Sequence, residues 1–176
     1  DQAVSIRELK RVAADAVDFA TLEVPCIREN SIKIAVIGSG PAGLTTAYNL
    51  RLKGYSVTIF EALDVLGGML RVGIPDYRLP NEVVDREIDY LLRHGIEART
   101  GVRFGEDVTL ETLARDGYAA VLLGIGLQGG MGMNIPGNDT DGVLDAIRFL
   151  RQVNLGERKQ ISTRAVVVGG GNVAID

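Results

Sequence analysis

The sequence predicts an α/β fold: a mostly parallel sheet with helices on both faces, preceded by an N-terminal helix. Three observations carry this. Short apolar runs at 34–37, 57–60, 119–124 and 164–168 have strand length, and helical patterns separate them. The first run leads into G-x-G-x-x-G at Gly38, Gly40 and Gly43, which opens a helix. The second run ends on Glu61, 23 positions after Gly38. Strand, tight turn, helix, strand and acid in this order form the fingerprint of a dinucleotide-binding unit.

Composition narrows the classes. The 176 residues suffice for one sizeable core, or for one domain and part of another. Net charge is −4 without a basic run, which argues against a nucleic-acid partner. No apolar stretch reaches membrane-spanning length and no signal peptide is visible, so the expected setting is the cytoplasm without membrane contact. The first residue is Asp rather than Met, so an internal or processed N-terminus is expected. The single cysteine, Cys26, rules out an internal disulfide, a CxxC pair and a cysteine-ligated cluster within this chain. His94 is the only histidine, and no metal site is expected.

Residues 4–19 place Ile6, Leu9, Val12, Ala13 and Ala16 at helical spacing, with Arg7, Arg11 and Asp18 opposite. This predicts an amphipathic helix that packs on a neighbouring domain. Residues 21–31 contain Pro25 and read as a linker. In the fingerprint, Gly38 permits the sharp turn, Gly40 lets a pyrophosphate approach bare backbone, and Gly43 lets the helix pack on the strands. Leu44, Ala47 and Leu50 line one side of that helix, and Gly54 ends it. The helix N-terminus offers unpaired N–H groups to phosphates. Glu61 can accept hydrogen bonds from ribose hydroxyls.

Residues 62–80 hold paired glycines, Gly73 and two prolines, and suit neither helix nor strand. A loop this long is either functional or a cover for the sheet end. Its Met69, Leu70, Val72 and Ile74, mixed with Arg71 and Arg78, suit a planar, partly polar ligand. Asn81 is expected to cap a helix running to His94, with Val84, Ile88, Leu91 and Leu92 inward. His94 then sits in the last turn, in a dipole or capping role. Residues 96–102 read as a strand, 109–114 as a short helix capped by Thr109, 119–124 as a buried strand and 143–153 as a helix. Residues 164–168 read as a last strand. Gly169, Gly171 and Ala174 follow it in G-x-G-x-x-A, 131 residues after the first fingerprint. That second motif is either the start of another dinucleotide site or a packing turn.

The segments GSGPAG, FEALDVLGGMLRVGIPDYRLP, GEDVTLETL, AVLLGIG…NIPG and VVVGGGNVAID resemble, in order, the glutamate synthase small-subunit-like family of FAD/NAD(P)-binding oxidoreductases. Its relatives include the flavin region of dihydropyrimidine dehydrogenase, NADH-dependent ferredoxin:NADP oxidoreductase and, more distantly, adrenodoxin reductase. The resemblance implies a three-layer, Rossmann-like FAD/NAD(P)-binding fold. It implies FAD on the first fingerprint and NADPH or NADH on the second. Gly38, Ser39, Gly40, Pro41 and Ala42 would then cradle the FAD pyrophosphate and Glu61 the adenosine ribose. Gly68 and Met69 would lie along the flavin, Val108 near the adenine, and Gly126 along the phosphate and ribitol. Gly169, Gly171, Asn172 and Val173 would face the nicotinamide nucleotide's pyrophosphate. No catalytic side chain is implied, because hydride passes directly between the cofactors.

The resemblance also implies an organisation. Residues 1–31 would be a helix and linker, the tail of an upstream iron–sulfur helical domain. Residues 32–153 would be an incomplete FAD-binding domain, and 154–176 the truncated start of a NAD(P)H-binding domain. The 4Fe-4S clusters would belong to the parent protein, not to this chain, and the partner would be an electron-accepting subunit or iron–sulfur domain. The fragment alone would be inactive. Two other classes compete: a non-catalytic nucleotide-binding or assembly module, and a disulfide reductase, against which the lack of a CxxC counts.

Overall fold

A computed structural model describes residues 3–157, 161 and 163–176. Helix α1 (Ile6–Asp15) comes first and buries none of its residues. Its apolar stripe of Ile6, Leu9 and Val12 stays about 60 % or more exposed, so no described segment covers the face expected to pack. Strand β1 (Lys33–Ile37), helix α2 (Pro41–Leu52) and strand β2 (Ser56–Phe60) then form one βαβ unit. A one-turn helix, α3 (Met69–Val72), interrupts the 62–80 loop, which sequence patterning treated as irregular throughout. Helix α4 (Asn81–Leu92), short strand β3 (Glu97–Arg99), helix α5 (Leu110–Arg115), strand β4 (Tyr118–Leu123), helix α6 (Ala146–Asn154) and the one-turn α7 (Asn172–Ile175) complete the order.

All pairings are parallel, and the sheet order is β3-β2-β1-β4. Side chains alternate across the strands, so each face of the sheet acquires its own core. Val36, Val57 and Ile59 meet Leu44 and Ala47 of α2 and Val84 and Ile88 of α4 on one face. Ala35, Ile37, Phe60 and Tyr118 meet Leu113 of α5 on the other. Two apolar faces on one sheet make the expected three layers.

Several local expectations are corrected. Asn81 is the first helical residue rather than the cap; Pro80 takes the cap position, and the Asn81 N–H donates to Asp76 Oδ1 at 2.8 Å. Pro80 suits that place because its ring favours the φ that leads into a helix. Strand β4 is an edge strand, and Ala119, Ala120 and Leu123 are exposed rather than buried. Residues 164–168 form no strand. Val166, Val167 and Val168 are 90 %, 67 % and 68 % exposed, and none joins the four-stranded sheet. Apolar composition alone does not make a strand, since the ladder needs a partner. The third predicted segment, 154–176, includes positions 158–160 and 162, which lie outside the described residues.

Other expectations hold. Thr109 caps α5 with a reciprocal pair of bonds to Thr112. Asp145 caps α6 by accepting from the Arg148 N–H at 2.7 Å, so the helix starts three positions after the predicted 143. His94 departs from its expected place in the last turn: it lies just beyond α4, buried between Tyr48 and Tyr90, with Nδ1 2.9 Å from the Tyr90 carbonyl. Below it, buried Arg51 joins the His94 carbonyl to Glu29 of the linker. The linker is therefore strapped to the end of α2 remote from the glycine turn. Arg93 extends the strap by donating to the carbonyls of Phe19 and Ala20.

The turn after β1 is a backbone-on-backbone contact. A Cβ built on Gly43 would lie 1.9 Å from the Gly38 carbonyl oxygen, and one on Gly38 would lie 2.5 Å from the Gly124 carbonyl oxygen. Gly40 has only the Gly68 Cα in reach, at 4.0 Å. The two positions should therefore differ sharply. Gly43→Ala is expected to cost about 3 kcal/mol or more, the upper end for overpacking. Gly40→Ala should cost no more than about 1 kcal/mol, the scale of a changed N-cap. Chemical denaturation of both variants checks this; equal midpoints would refute the contact.

Candidate functional site

In parallel sheets ligands bind beyond the carboxyl ends of the strands, where neighbouring connections run in opposite directions. Here that place lies between β1 and β4. The chain leaves β1 toward β2 on one side and later returns to β4 on the other. The first glycine turn sits there. Gly38 has φ +99°, and its N–H donates to the Phe60 carbonyl at 2.8 Å. Gly124 donates to the Ile37 carbonyl at 2.7 Å, which ties the end of β4 to the same turn. Gly40 caps α2 in an extended conformation, and Pro41 takes the first helical position. Pro41 and Ala42 are exposed. Half-buried Gly40 and the exposed first turn of α2 together leave a patch of accessible backbone.

Ser39 and Glu61 are joined beneath this patch. The Ser39 N–H and Oγ donate to Glu61 Oε2 at 2.8 and 2.6 Å, and the Leu63 N–H donates to Oε1 at 2.9 Å. Both residues are buried. A carboxylate has room for about four such bonds, so one acceptor place remains for a ligand hydroxyl. Sequence spacing placed Glu61 at the sugar but did not foresee its bonds back to the turn. The signal was Ser39 itself, the only hydroxyl inside the glycine motif.

The 62–80 loop closes over the same place. The Gly67 N–H donates to the Ser39 carbonyl at 3.1 Å, and Gly68, at φ +54°, stands back to back with Gly40. A Cβ on Gly68 would lie 2.7 Å from the Gly40 Cα. Met69 follows, half-buried, as the first residue of α3. Arg71 donates to the Leu66 carbonyl and pairs with Asp85, holding the loop on α4. A cleft of about 280 Å³ opens beside Pro41, lined by Leu70, Leu79, Val83 and Ile88.

The remaining predicted positions lie apart from one another. Val108 is half-buried against the β1–β2–α5 core. Gly126, at φ +63°, is exposed just beyond β4. Gly169, Gly171, Asn172 and Val173 are exposed, with Gly171 capping α7. A larger cleft, of about 600 Å³, lies between residues 128–132 and α6 and shares no lining residue with the first glycine turn. Gly124 was absent from the expected site; its place directly after an apolar strand was the available clue.

Among the described residues no group of His, Cys, Asp and Glu could hold a metal ion, and Cys26 is exposed and unpaired. No helix among them is long and apolar enough to cross a membrane.

The chain is 47 % identical over 147 residues to the NADP(+)-dependent formate dehydrogenase subunit beta of Moorella thermoacetica, covering 82 % of this chain and 21 % of that one. It is 39 % identical to the NADPH-Fe(3+) oxidoreductase subunit beta of Geobacter sulfurreducens, covering all of this chain and 27 % of that one. It is 34 % identical to the glutamate synthase [NADPH] small chain of Bacillus subtilis, covering all of this chain and 38 % of that one. The chain thus spans between a fifth and two fifths of these relatives' lengths. The solved structure of Mycobacterium tuberculosis FprA in complex with NADPH superimposes with a TM-score of 0.63 at 25 % identity, over 71 % of this chain and 29 % of that one. The profile of one family matches residues 32–176. The chain belongs to the pyridine nucleotide-disulphide oxidoreductase family.

Proposed function

We propose that this chain is the flavin-binding part of an oxidoreductase that takes hydride from NADPH or NADH onto FAD and sends the electrons to an iron–sulfur domain or partner subunit. One observation carries the reading. At the switch point of the sheet, a Cβ on Gly40 would meet nothing nearer than the Gly68 Cα at 4.0 Å, while Gly38, Gly43 and Gly124 lock the turn around it. That is a cradle which a side chain would fill, and a diphosphate fits it.

The residues fit FAD as follows. Gly38 to Ala42 and the first turn of α2 would receive the pyrophosphate. Glu61 would accept from the ribose with its remaining place. Gly68 and Met69 would bound the flavin side, Gly126 the ribitol side and Val108 the adenine side. Gly169, Gly171, Asn172 and Val173 would meet the nicotinamide nucleotide. FAD supplies the hydride-accepting and electron-dividing chemistry when bound. The chain orients the partners and keeps the cradle's backbone in place. With Cys26 as its only cysteine, the chain supplies no dithiol pair of its own for disulfide reduction. Residues 1–31 would then lead from an iron–sulfur domain, 32–153 form the flavin unit and 154–176 open the nicotinamide unit. The names of the three curated relatives all carry NADP or NADPH, which supports NADPH over NADH.

The decisive experiment is colour. The full-length protein carrying this chain should purify yellow and bleach anaerobically with NADPH or NADH. A colourless protein that binds only nucleotide would mark an assembly module instead. Gly40→Val should abolish flavin content, because a branched side chain occupies the pyrophosphate's place; unchanged flavin absorbance would sink the assignment. Glu61→Ala should weaken FAD by about 1–3 kcal/mol and also lower the melting temperature without cofactor, since Ser39 loses its buried acceptor. Titration calorimetry and thermal melts report the two effects separately.

A further inference from the structure

The glycine turn, the end of β2 and the 62–80 loop meet on one hydroxyl. Ser39 is fully buried, and its Oγ both gives and takes a hydrogen bond. It donates to Glu61 Oε2 at 2.6 Å and accepts from the Gly67 N–H at 3.2 Å. A serine hydroxyl has one proton to give, and here a carboxylate receives it. The Gly67 N–H also reaches the Ser39 carbonyl at 3.1 Å, so one residue holds the loop amide twice. Gly67 is buried at φ +114°, and a Cβ there would lie 3.2 Å from Val84 Cγ1. The loop is thus packed against α4 at the residue that meets Ser39.

The bonds on Glu61 are unevenly shared. Both Ser39 donors fall on Oε2, and only the Leu63 N–H falls on Oε1. The remaining acceptor place is therefore on Oε1, while Oε2 is given over to Ser39. A ligand hydroxyl on Oε1 and the loop amide on Ser39 Oγ would then be joined by one rigid carboxylate and one hydroxyl. Donors running in series from N–H to O–H to carboxylate strengthen one another.

We infer that Ser39 is a positioning residue whose hydroxyl couples the ribose end of the flavin site to the loop on its flavin side. A ribose hydroxyl on Glu61 restrains the carboxylate, the carboxylate restrains Ser39, and Ser39 holds Gly67 closed. The ordering of these groups is lost once and serves both ends. Such coupling is reciprocal, so closure of the loop raises affinity for the adenosine half by the same factor. The inference rests on the functional reading above, in which Glu61 meets the ribose.

The test uses the full-length protein carrying this chain, stripped of flavin, with ADP as the probe of the adenosine half. Hydrogen exchange is followed in the peptide spanning 65–72, which contains the Gly67 amide. Saturating ADP should slow that exchange about tenfold in the wild type, a usual size for coupling between sites. In Ser39→Ala the carbonyl at position 39 is still there for the Gly67 N–H, yet saturating ADP should change the exchange by no more than about twofold. FAD affinity, read from flavin fluorescence, gives a second measurement. Ser39→Ala and Glu61→Gln should each lower it about tenfold. The double variant should lie within about threefold of the weaker single, because the two residues act through one another. A wild type that binds ADP without slowing the 65–72 peptide overturns the coupling, whatever the stability of the variants. So does a Ser39→Ala protein slowed as much as the wild type, or a double variant whose losses multiply. A wild type that takes up neither FAD nor ADP overturns the functional reading and the coupling together.

Discussion

The contact among Gly38, Gly43 and Gly124 governs the rest of this structure. Three stretches of backbone meet there at distances that no side chain could enter: the turn after β1, the first turn of α2 and the end of β4. The contact sets the angle at which α2 leaves the sheet. It therefore decides which face of α2 buries Leu44 and Ala47 against Val36 and Val57. It also joins β4 to β1 at their carboxyl ends, where the Gly124 N–H meets the Ile37 carbonyl. The switch point is thus a consequence of glycine packing, and the open backbone at Gly40 is what that packing leaves over.

Glu61 adds a second constraint that works through charge. Its carboxylate gathers the Ser39 N–H, the Ser39 hydroxyl and the Leu63 N–H, so the end of β2 is bonded to the glycine turn. Bonds from neutral donors to a carboxylate are stronger than those between neutral groups. Buried as it is, the group stabilises the turn in the shape a diphosphate would need before any ligand arrives. On the proposed function, binding would then require little reordering of the protein, which is the physical content of preorganisation.

Local chemistry was the part of this structure that could be read from sequence. Glycine spacing, the helix that the glycine motif opens, the Thr109 cap and the apolar strand at 34–37 each depend on near neighbours. The three-layer fold followed from them. What was not legible depends on distant partners. The apolar run at 165–168 has strand composition, yet no described strand lies beside it. Ala119 and Ala120 of β4 looked buried because apolar runs do not announce an edge strand. The Asn154 contacts to the loop span 82 and 80 positions, and nothing in local pattern signals them. Gly124 carried a weak clue in its place after a strand, but its contact with Gly38 belongs to the folded chain.

The side chains around the first turn also bear on what kind of chemistry this place can host. Glu61 is the one carboxylate bonded into it, and three of its acceptor places are taken by the protein. His94 lies at the far end of α4, its Nδ1 on the Tyr90 carbonyl and its ring against Tyr48. Cys26 is exposed on the linker that the Arg51–Glu29 pair straps to the far end of α2. A twelve-residue helix, about 18 Å long, separates that strap from the glycine turn. General acid–base or nucleophilic catalysis needs a titratable group within hydrogen-bond reach of the reacting atoms. Direct transfer between two bound cofactors needs only that they be held in register. On the proposed function, Gly40, Gly68 and the loop that closes over them would serve the second requirement. Substitutions here should then act through shape and spacing, and scarcely through the pH at which they are measured.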